Sequence, residues 1–179
     1  TDIDLLQRAQ KQLAEKLADY WNHRPQGLPL NSAYEALVLA SIVEKETGIA
    51  VERSRIAGVF YNRLNSGMRL QSDPTTIYGL GDRYTGRLTR EQLREETLYN
   101  TYRIEGLPPS PIALVSDSAL SAVLILVVHG YFYFVSNSNG GHVFSRTLEE
   151  HNAAVAIYRA GLIDSAPQTD AINGDISER

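Results

Sequence analysis

Residues 67–111 carry no long hydrophobic period, and that one stretch rules out a plain helical bundle. It breaks into short pieces punctuated by glycine and proline. It closes on Gly106-Leu107-Pro108-Pro109-Ser110-Pro111, where consecutive prolines exclude helix and impose an extended turn. An irregular segment of this length inside a compact domain is usually functional. Within it, Asp73-Pro74 reads as an N-cap followed by proline at the first helical position. Thr89 and Gln92 propose a capping box that opens a short helix to about residue 96.

Regular patterns flank this segment. Leu6, Ala9, Leu13, Leu17 and Tyr20 repeat at helical spacing over residues 2–21, behind a cap-like Thr1 and Asp4. A second helix is predicted from Ser32, with Glu35 completing a capping box, to Gly48. A third covers residues 52–66, with Ile56, Val59, Phe60 and Leu64 as its apolar stripe. After the irregular segment, residues 117–127 read as a buried helix, although the run 123–128 fits a strand equally well. Residues 131–135 and 142–145, joined by turn chemistry over 137–141, predict a hairpin. Thr147 and Glu150 cap a last helix to about residue 160, and the polar, aperiodic residues 163–179 predict a frayed, flexible tail. The class is therefore α+β: helices packed around a small antiparallel β-hairpin, with a long irregular segment suited to binding substrate.

Composition narrows the function. The 179 residues, 43% of them apolar or aromatic, suffice for one domain with a real core. A net charge of −4 without a long basic run argues against sequence-independent nucleic-acid binding. No apolar run approaches the ~20 residues of a membrane-spanning helix. Thr1 opens directly into a helical pattern with no signal peptide before it, as in a mature or trimmed chain. The absence of cysteine removes disulfide, thiol and cysteine-metal chemistry but does not fix the compartment. His23, His129, His142 and His151 share no metal-ligand spacing, so no metal or other cofactor is expected. No Gly-x-Ser-x-Gly elbow is present, and Gly79-Leu80-Gly81 is too short for a phosphate cradle. Charge is uneven: residues 53–105 hold nine arginines against six acids, and five of the ten tyrosines. Arginine and tyrosine together suit a polar ligand with ring faces, and equally an ordinary half-buried surface.

One residue is sharply informative. Leu39, Ile42 and Val43 form the apolar face of the second helix, and the next position on that face is Glu46. Glu44 is rotated roughly 200° away. The helix C-terminus disfavours a negative charge by ~0.3–1 kcal/mol, less than one pKa unit. Apolar burial raises a carboxyl pKa by up to ~3–5, so burial decides the matter. A carboxyl that begins near ~4.3 then stays protonated close to neutrality, as a general acid must. The sequence leaves open a frayed helix end, with Glu46 in solvent or paired with Arg53 or Arg55.

Several motifs in order resemble one family. Ser41-Ile42-Val43-Glu44-Lys45-Glu46-Thr47, Val59-Phe60-Tyr61-Asn62-Arg63-Leu64 and Gly67-Met68-Arg69-Leu70-Gln71-Ser72-Asp73-Pro74-Thr75 are similar to the MltG (YceG-like) endolytic murein transglycosylases. Tyr99-Asn100-Thr101-Tyr102, Gly106-Leu107-Pro108-Pro109, Gly141-His142-Val143-Phe144-Ser145 and Glu150-His151-Asn152 continue the order, over about residues 34–158. The pattern departs at Ile112-Ala113-Leu114-Val115-Ser116 and Leu126-Val127-Val128-His129, where relatives carry turn-formers.

The resemblance implies a lytic transglycosylase that cuts the MurNAc–GlcNAc bond of peptidoglycan without water, leaving a 1,6-anhydro-MurNAc end. The family's glutamate falls on Glu46, as acid and then base. An internal hydroxyl nucleophile removes the need for the second carboxylate of paired-carboxylate hydrolases. Gln71, Ser72, Asn100 and Tyr102 are candidate hydrogen-bonding groups for sugars, Tyr78 and Tyr99 candidate stacking platforms. His142 either orients substrate or holds its turn. Asp73 is a rival second carboxylate, although an N-cap role before Pro74 is the stronger reading. Residues 1–162 are expected to form the catalytic domain, including an N-terminal helix and linker over 1–30. The family's membrane helix and LysM-like domain do not appear, so the chain reads as the catalytic part alone. The implied partners are glycan strands and, with them, peptidoglycan synthases. The implied location is the periplasmic face of the inner membrane, the full-length protein being anchored by a helix missing here. The alternative, from a different class, is a non-catalytic peptidoglycan-binding module.

Overall fold

The computed structural model describes residues 1–125 and 127–161. Among the described residues are six α-helices, α1 (Asp2–Asn22), α2 (Ala33–Glu46), α3 (Ala50–Asn65), α4 (Asp73–Leu80), α5 (Asp117–Leu124) and α6 (Leu148–Arg159), and an antiparallel pair, β1 (Tyr133–Ser136) and β2 (His142–Ser145), that packs on α6 and α3. The α+β class is the observed one.

Helix α2 is the axis of the core. Val38 to Val43 are all buried, and α3, α5, α4 and α1 pack around them. Phe60, Leu39, Ile42, Ile56, Leu70 and Leu120 are fully enclosed. Helix α1 buries no residue completely, but leans Leu13, Leu17, Tyr20 and Trp21 on this core. The expected capping boxes form at Thr1/Asp4 and Thr147/Glu150. At Ser32 only half forms: Ser32 caps the Glu35 amide, while the Glu35 carboxylate accepts from the Asn31 amide at 2.7 Å.

Where elements differ from expectation, a side chain has taken the backbone groups. Thr89 and Gln92 do exchange their capping bonds (3.2 and 3.0 Å), yet only one 3-10 turn follows, Gln92–Arg94. The Asn100 amide takes the carbonyls of Gln92, Leu93 and Glu95 at 3.4, 3.2 and 2.7 Å, so they cannot extend a helix. Strand β1 begins at Tyr133 rather than 131: Asn62 Nδ2 holds the Tyr131 carbonyl (2.8 Å) and Arg63 Nε the Phe132 carbonyl (2.7 Å), while the Phe132 amide still donates to the Ser145 carbonyl (3.0 Å). Helix α5 ends at Leu124, and His129 docks on α3, bonding Asn62 and Arg55, rather than continuing a strand. Leu114, Ile125 and Val128, at or beside the departures from the family pattern, are exposed. The expected tail, residues 163–179, lies outside the described residues.

Gly58 permits this docking. A Cβ there would overlap the His129 ring, whose Nε2 donates to the Arg55 carbonyl at 2.8 Å. Gly58→Ala is expected to destabilise the fold by about 1–3 kcal/mol, the usual range for overpacking, as read by chemical denaturation.

Candidate active site

Glu46 is the last residue of α2, at the mouth of a cleft of about 500 Å³. Arg63 of α3 and Gln71, Asp73 and Tyr102 of the irregular segment line it. Tyr133 to Ser136 of β1, His142 of β2, and Leu148, His151 and Asn152 of α6 complete the lining. The volume falls in the range of small-molecule sites.

Glu46 is half-buried, not frayed. Its Oε1 accepts a 2.5 Å bond from Ser72 Oγ. Arg53, offered by the sequence as a partner, instead pairs with Glu44 at 3.2 Å, and Ser116 donates to Glu44 from both its amide and its hydroxyl. Desolvation raises the Glu46 pKa to about 7. The Ser72 hydrogen bond opposes the rise, the Asp73 charge adds to it, and the Arg63 charge opposes it. Like charge nearby and lost water both favour the neutral acid, whereas a donated bond and a cation favour the anion. Ser72→Ala is therefore expected to move the Glu46 titration to higher pH and Asp73→Asn to lower pH. NMR titration of the carboxyl checks both directions.

The segment over 71–73 is held by a buried hydroxyl network. Thr101 O accepts from the Gln71 amide (3.1 Å) and Thr101 Oγ1 from the Ser72 amide (2.9 Å). Thr75 Oγ1 donates to the Ser72 carbonyl at 2.6 Å. Gln71 adopts φ +51°, a conformation that costs a non-glycine residue about 1–2 kcal/mol and that recurs where a site fixes its backbone. Ser72, not Asp73, is the N-cap of α4, which corrects the N-cap reading of Asp73. Its hydroxyl makes no capping bond because it faces Glu46. Asp73 is left with its carboxylate in the cleft, accepting a 2.6 Å bond from Tyr102 Oη. Burial first, and the Asp73 carboxylate second, push the Tyr102 pKa up.

His142 holds its hairpin, one of the two alternatives given by the sequence, and also lines the cleft. Its Nδ1 donates to Glu52 Oε2 at 2.8 Å and its amide to Glu52 Oε1 at 3.0 Å. Four expected residues do not line the cleft. Ser72, expected to bond sugar, is buried and gives its hydroxyl to Glu46 instead. Asn100 is fully buried, its amide held by three carbonyls and its Oδ1 by Thr76 and Tyr102. Tyr78 and Tyr99 pack on each other, ring centroids 4.8 Å apart, outside the cleft lining, and Tyr99 Oη bonds Ser110. Sequence reasoning missed Arg63, Glu52, Tyr133, His151 and Asn152. Arg63 carried a signal, since it follows Ile56, Val59 and Phe60 on the same helical face. His151 stacks on Tyr133, and burial followed by the Arg63 charge lowers its pKa, favouring the neutral ring. Among the described residues, no group of three or more His, Asp or Glu gathers as a metal site.

The YceG-like family model matches residues 1–157. The chain belongs to the YceG-like family. Membership takes in α1, upstream of the motifs that first suggested it. An endolytic murein transglycosylase of Bacillus subtilis is 42% identical over 127 residues, covering 71% of this chain and 35% of that protein. One of Streptococcus pneumoniae is 35% identical, covering 68% and 23%. The chain thus spans about a third or less of these relatives. The crystal structure of a YceG-like protein of Listeria monocytogenes superposes with a TM-score of 0.64 at 46% identity, over 68% of this chain and 40% of that one.

Proposed function

We propose that this YceG-like domain is a peptidoglycan lytic transglycosylase whose acid and base are one residue, Glu46. The observation that carries the reading is a half-buried carboxyl with a pKa of about 7, opening on a cleft in a domain whose relatives are named murein transglycosylases. Protonated Glu46 gives its proton to the glycosidic oxygen as the bond to the anomeric carbon breaks. The resulting carboxylate takes the proton of the C6 hydroxyl, whose oxygen closes on the anomeric carbon as the 1,6-anhydro ring. A pKa near the working pH suits both halves, since each form must be populated in turn.

Neighbouring groups support the exchange. The Ser72 hydroxyl engages Oε1 and orients the carboxyl. The Arg63 charge stabilises the carboxylate formed after the first transfer, and Asp73 favours the protonated state before it. No helix among the described residues is long and apolar enough to cross a membrane. On this reading the domain works at the periplasmic face of the inner membrane, beside the synthases that make glycan strands.

Incubation with uncrosslinked glycan strands, followed by mass spectrometry of the new ends, tests the reading. New 1,6-anhydro-MurNAc ends are expected. Free reducing ends would instead indicate a hydrolase, and binding without new ends a non-catalytic module.

A further inference from the structure

The hairpin presents more than side chains to the cleft. In a strand, successive side chains point to opposite faces, so a cavity above one face meets only alternate residues. Here four successive residues, Tyr133 to Ser136, line one cleft. Both faces of the hairpin are covered: Phe134 packs on Phe60 and Phe144 toward the core, while Tyr133 stacks on His151 of α6. The cleft therefore runs along the outer edge of β1.

The register identifies the backbone groups on that edge. Asn137 N–H donates to the Gly141 carbonyl at 2.9 Å, closing the turn. Tyr133 pairs with Ser145, Phe134 with Phe144, Val135 with Val143 and Ser136 with His142. Hydrogen-bonded and non-bonded pairs alternate in an antiparallel ladder. Counting back from Asn137, Val135 and Tyr133 bond β2, whereas the amides and carbonyls of Phe134 and Ser136 point outward. No described residue bonds them. The inner end of the edge is filled by Arg63, which holds the Phe132 carbonyl. The outer end, at Ser136, carries a small side chain.

We propose that the outer edge of β1 is a secondary-amide subsite, in which the Ser136 backbone N–H donates to the acetamido carbonyl of a sugar ring held beside Glu46. The inference rests on the glycan-cleaving reading and deepens it. A secondary amide carries its N–H and C=O on opposite sides. An acetamido group lying in the cleft thus fits like one residue of an added strand, its carbonyl toward β1 and its N–H toward the facing wall. Gln71, exposed on that wall, offers a carboxamide with both donor and acceptor capacity. The edge has two free residues, about 7 Å apart along the strand, which matches a sugar substituent better than an extended peptide.

The test uses Glu46→Gln protein, so that strands persist, and peptide-free glycan strands with and without N-acetyl groups. Hydrogen exchange should slow at the Ser136 amide when acetylated strands bind and stay unchanged with deacetylated ones. Ser136→Pro deletes the amide at an edge position, where no ladder bond is lost. It should weaken binding of acetylated strands about 3- to 10-fold, the effect of one net hydrogen bond, while Ser136→Ala binds like its parent. Deacetylated strands should not distinguish the three proteins. Strands that bind without protecting the Ser136 amide overturn the subsite alone, and so does protection that appears only when stem peptides are present. Strands that fail to bind at all overturn the glycan reading beneath it. Exchange on the Ser136-containing protein decides the matter even where the proline variant fails to fold.

Discussion

Glu46→Gln should lower glycan cleavage by at least ~10²-fold while the domain stays folded, the low end of what acid–base catalysis contributes. The amide keeps the shape and the capacity to accept from Ser72 Oγ, but has no proton to give the departing oxygen. The same substitution carries a thermodynamic signature. In the folded chain the Glu46 pKa lies at about 7, well above the ordinary glutamate value, so the native state binds its proton more tightly than the unfolded one. A raised carboxyl pKa makes stability fall as pH rises between those values, by about 3 kcal/mol in all, and the loss is complete above pH 7. Glu46→Gln escapes that loss. It should therefore be more stable than the parent at pH 8, with the advantage shrinking toward pH 5, as read by thermal melts at both. In the parent, cleavage should decline as pH climbs past about 7, because the acid form is then depleted.

Arg63→Met is expected to have the largest effect on stability. Arg63 is buried, with Nη1 on the Leu70 carbonyl (2.6 Å) and Nε on the Phe132 carbonyl (2.7 Å). These bonds tie α3 both to the segment leading into Gln71 and to the chain entering β1, the two walls of the cleft. Methionine restores the packing and leaves both carbonyls unsatisfied. The cost is about 2–5 kcal/mol, or a drop in Tm on the order of 10 °C. A second consequence reaches the acid: without the cation, the Glu46 pKa should rise further, since the Arg63 charge favours the carboxylate. Arg63→Lys separates the two effects. It returns the charge, and with it the Glu46 pKa, but a lysine does not span two divergent carbonyls in a fixed fork, so most of the stability loss should remain.

What the sequence made legible followed from periodicity. A carboxylate at the fourth position of an apolar face, Glu46, was found because burial on a helix repeats every three or four residues. Arg63 obeys the same rule on α3 and is the second half of the same electrostatic arrangement. The helices and their caps were legible for the same local reason. The irregular segment was not. Asn100 has the chemistry of a sugar-binding residue, yet it works as an internal staple on three carbonyls that are distant in pattern and near in space. Asp73 before proline looks like a cap, but the cap is Ser72, and only the fold places that serine opposite Glu46. Tyr78 and Tyr99 found each other rather than the cleft. Tyr133, His151 and the β1 edge reach the site through the docking of a hairpin and α6, contacts with no local sequence signature.

The central claim concerns one proton, and it is most directly measured by titrating it. Carboxyl-labelled glutamate, followed by NMR with Glu46 assigned through Glu46→Gln, should show this group changing charge at about pH 7. A midpoint at the ordinary glutamate value near ~4.3 would contradict the account, because the side chain would then reach the glycosidic oxygen already ionised.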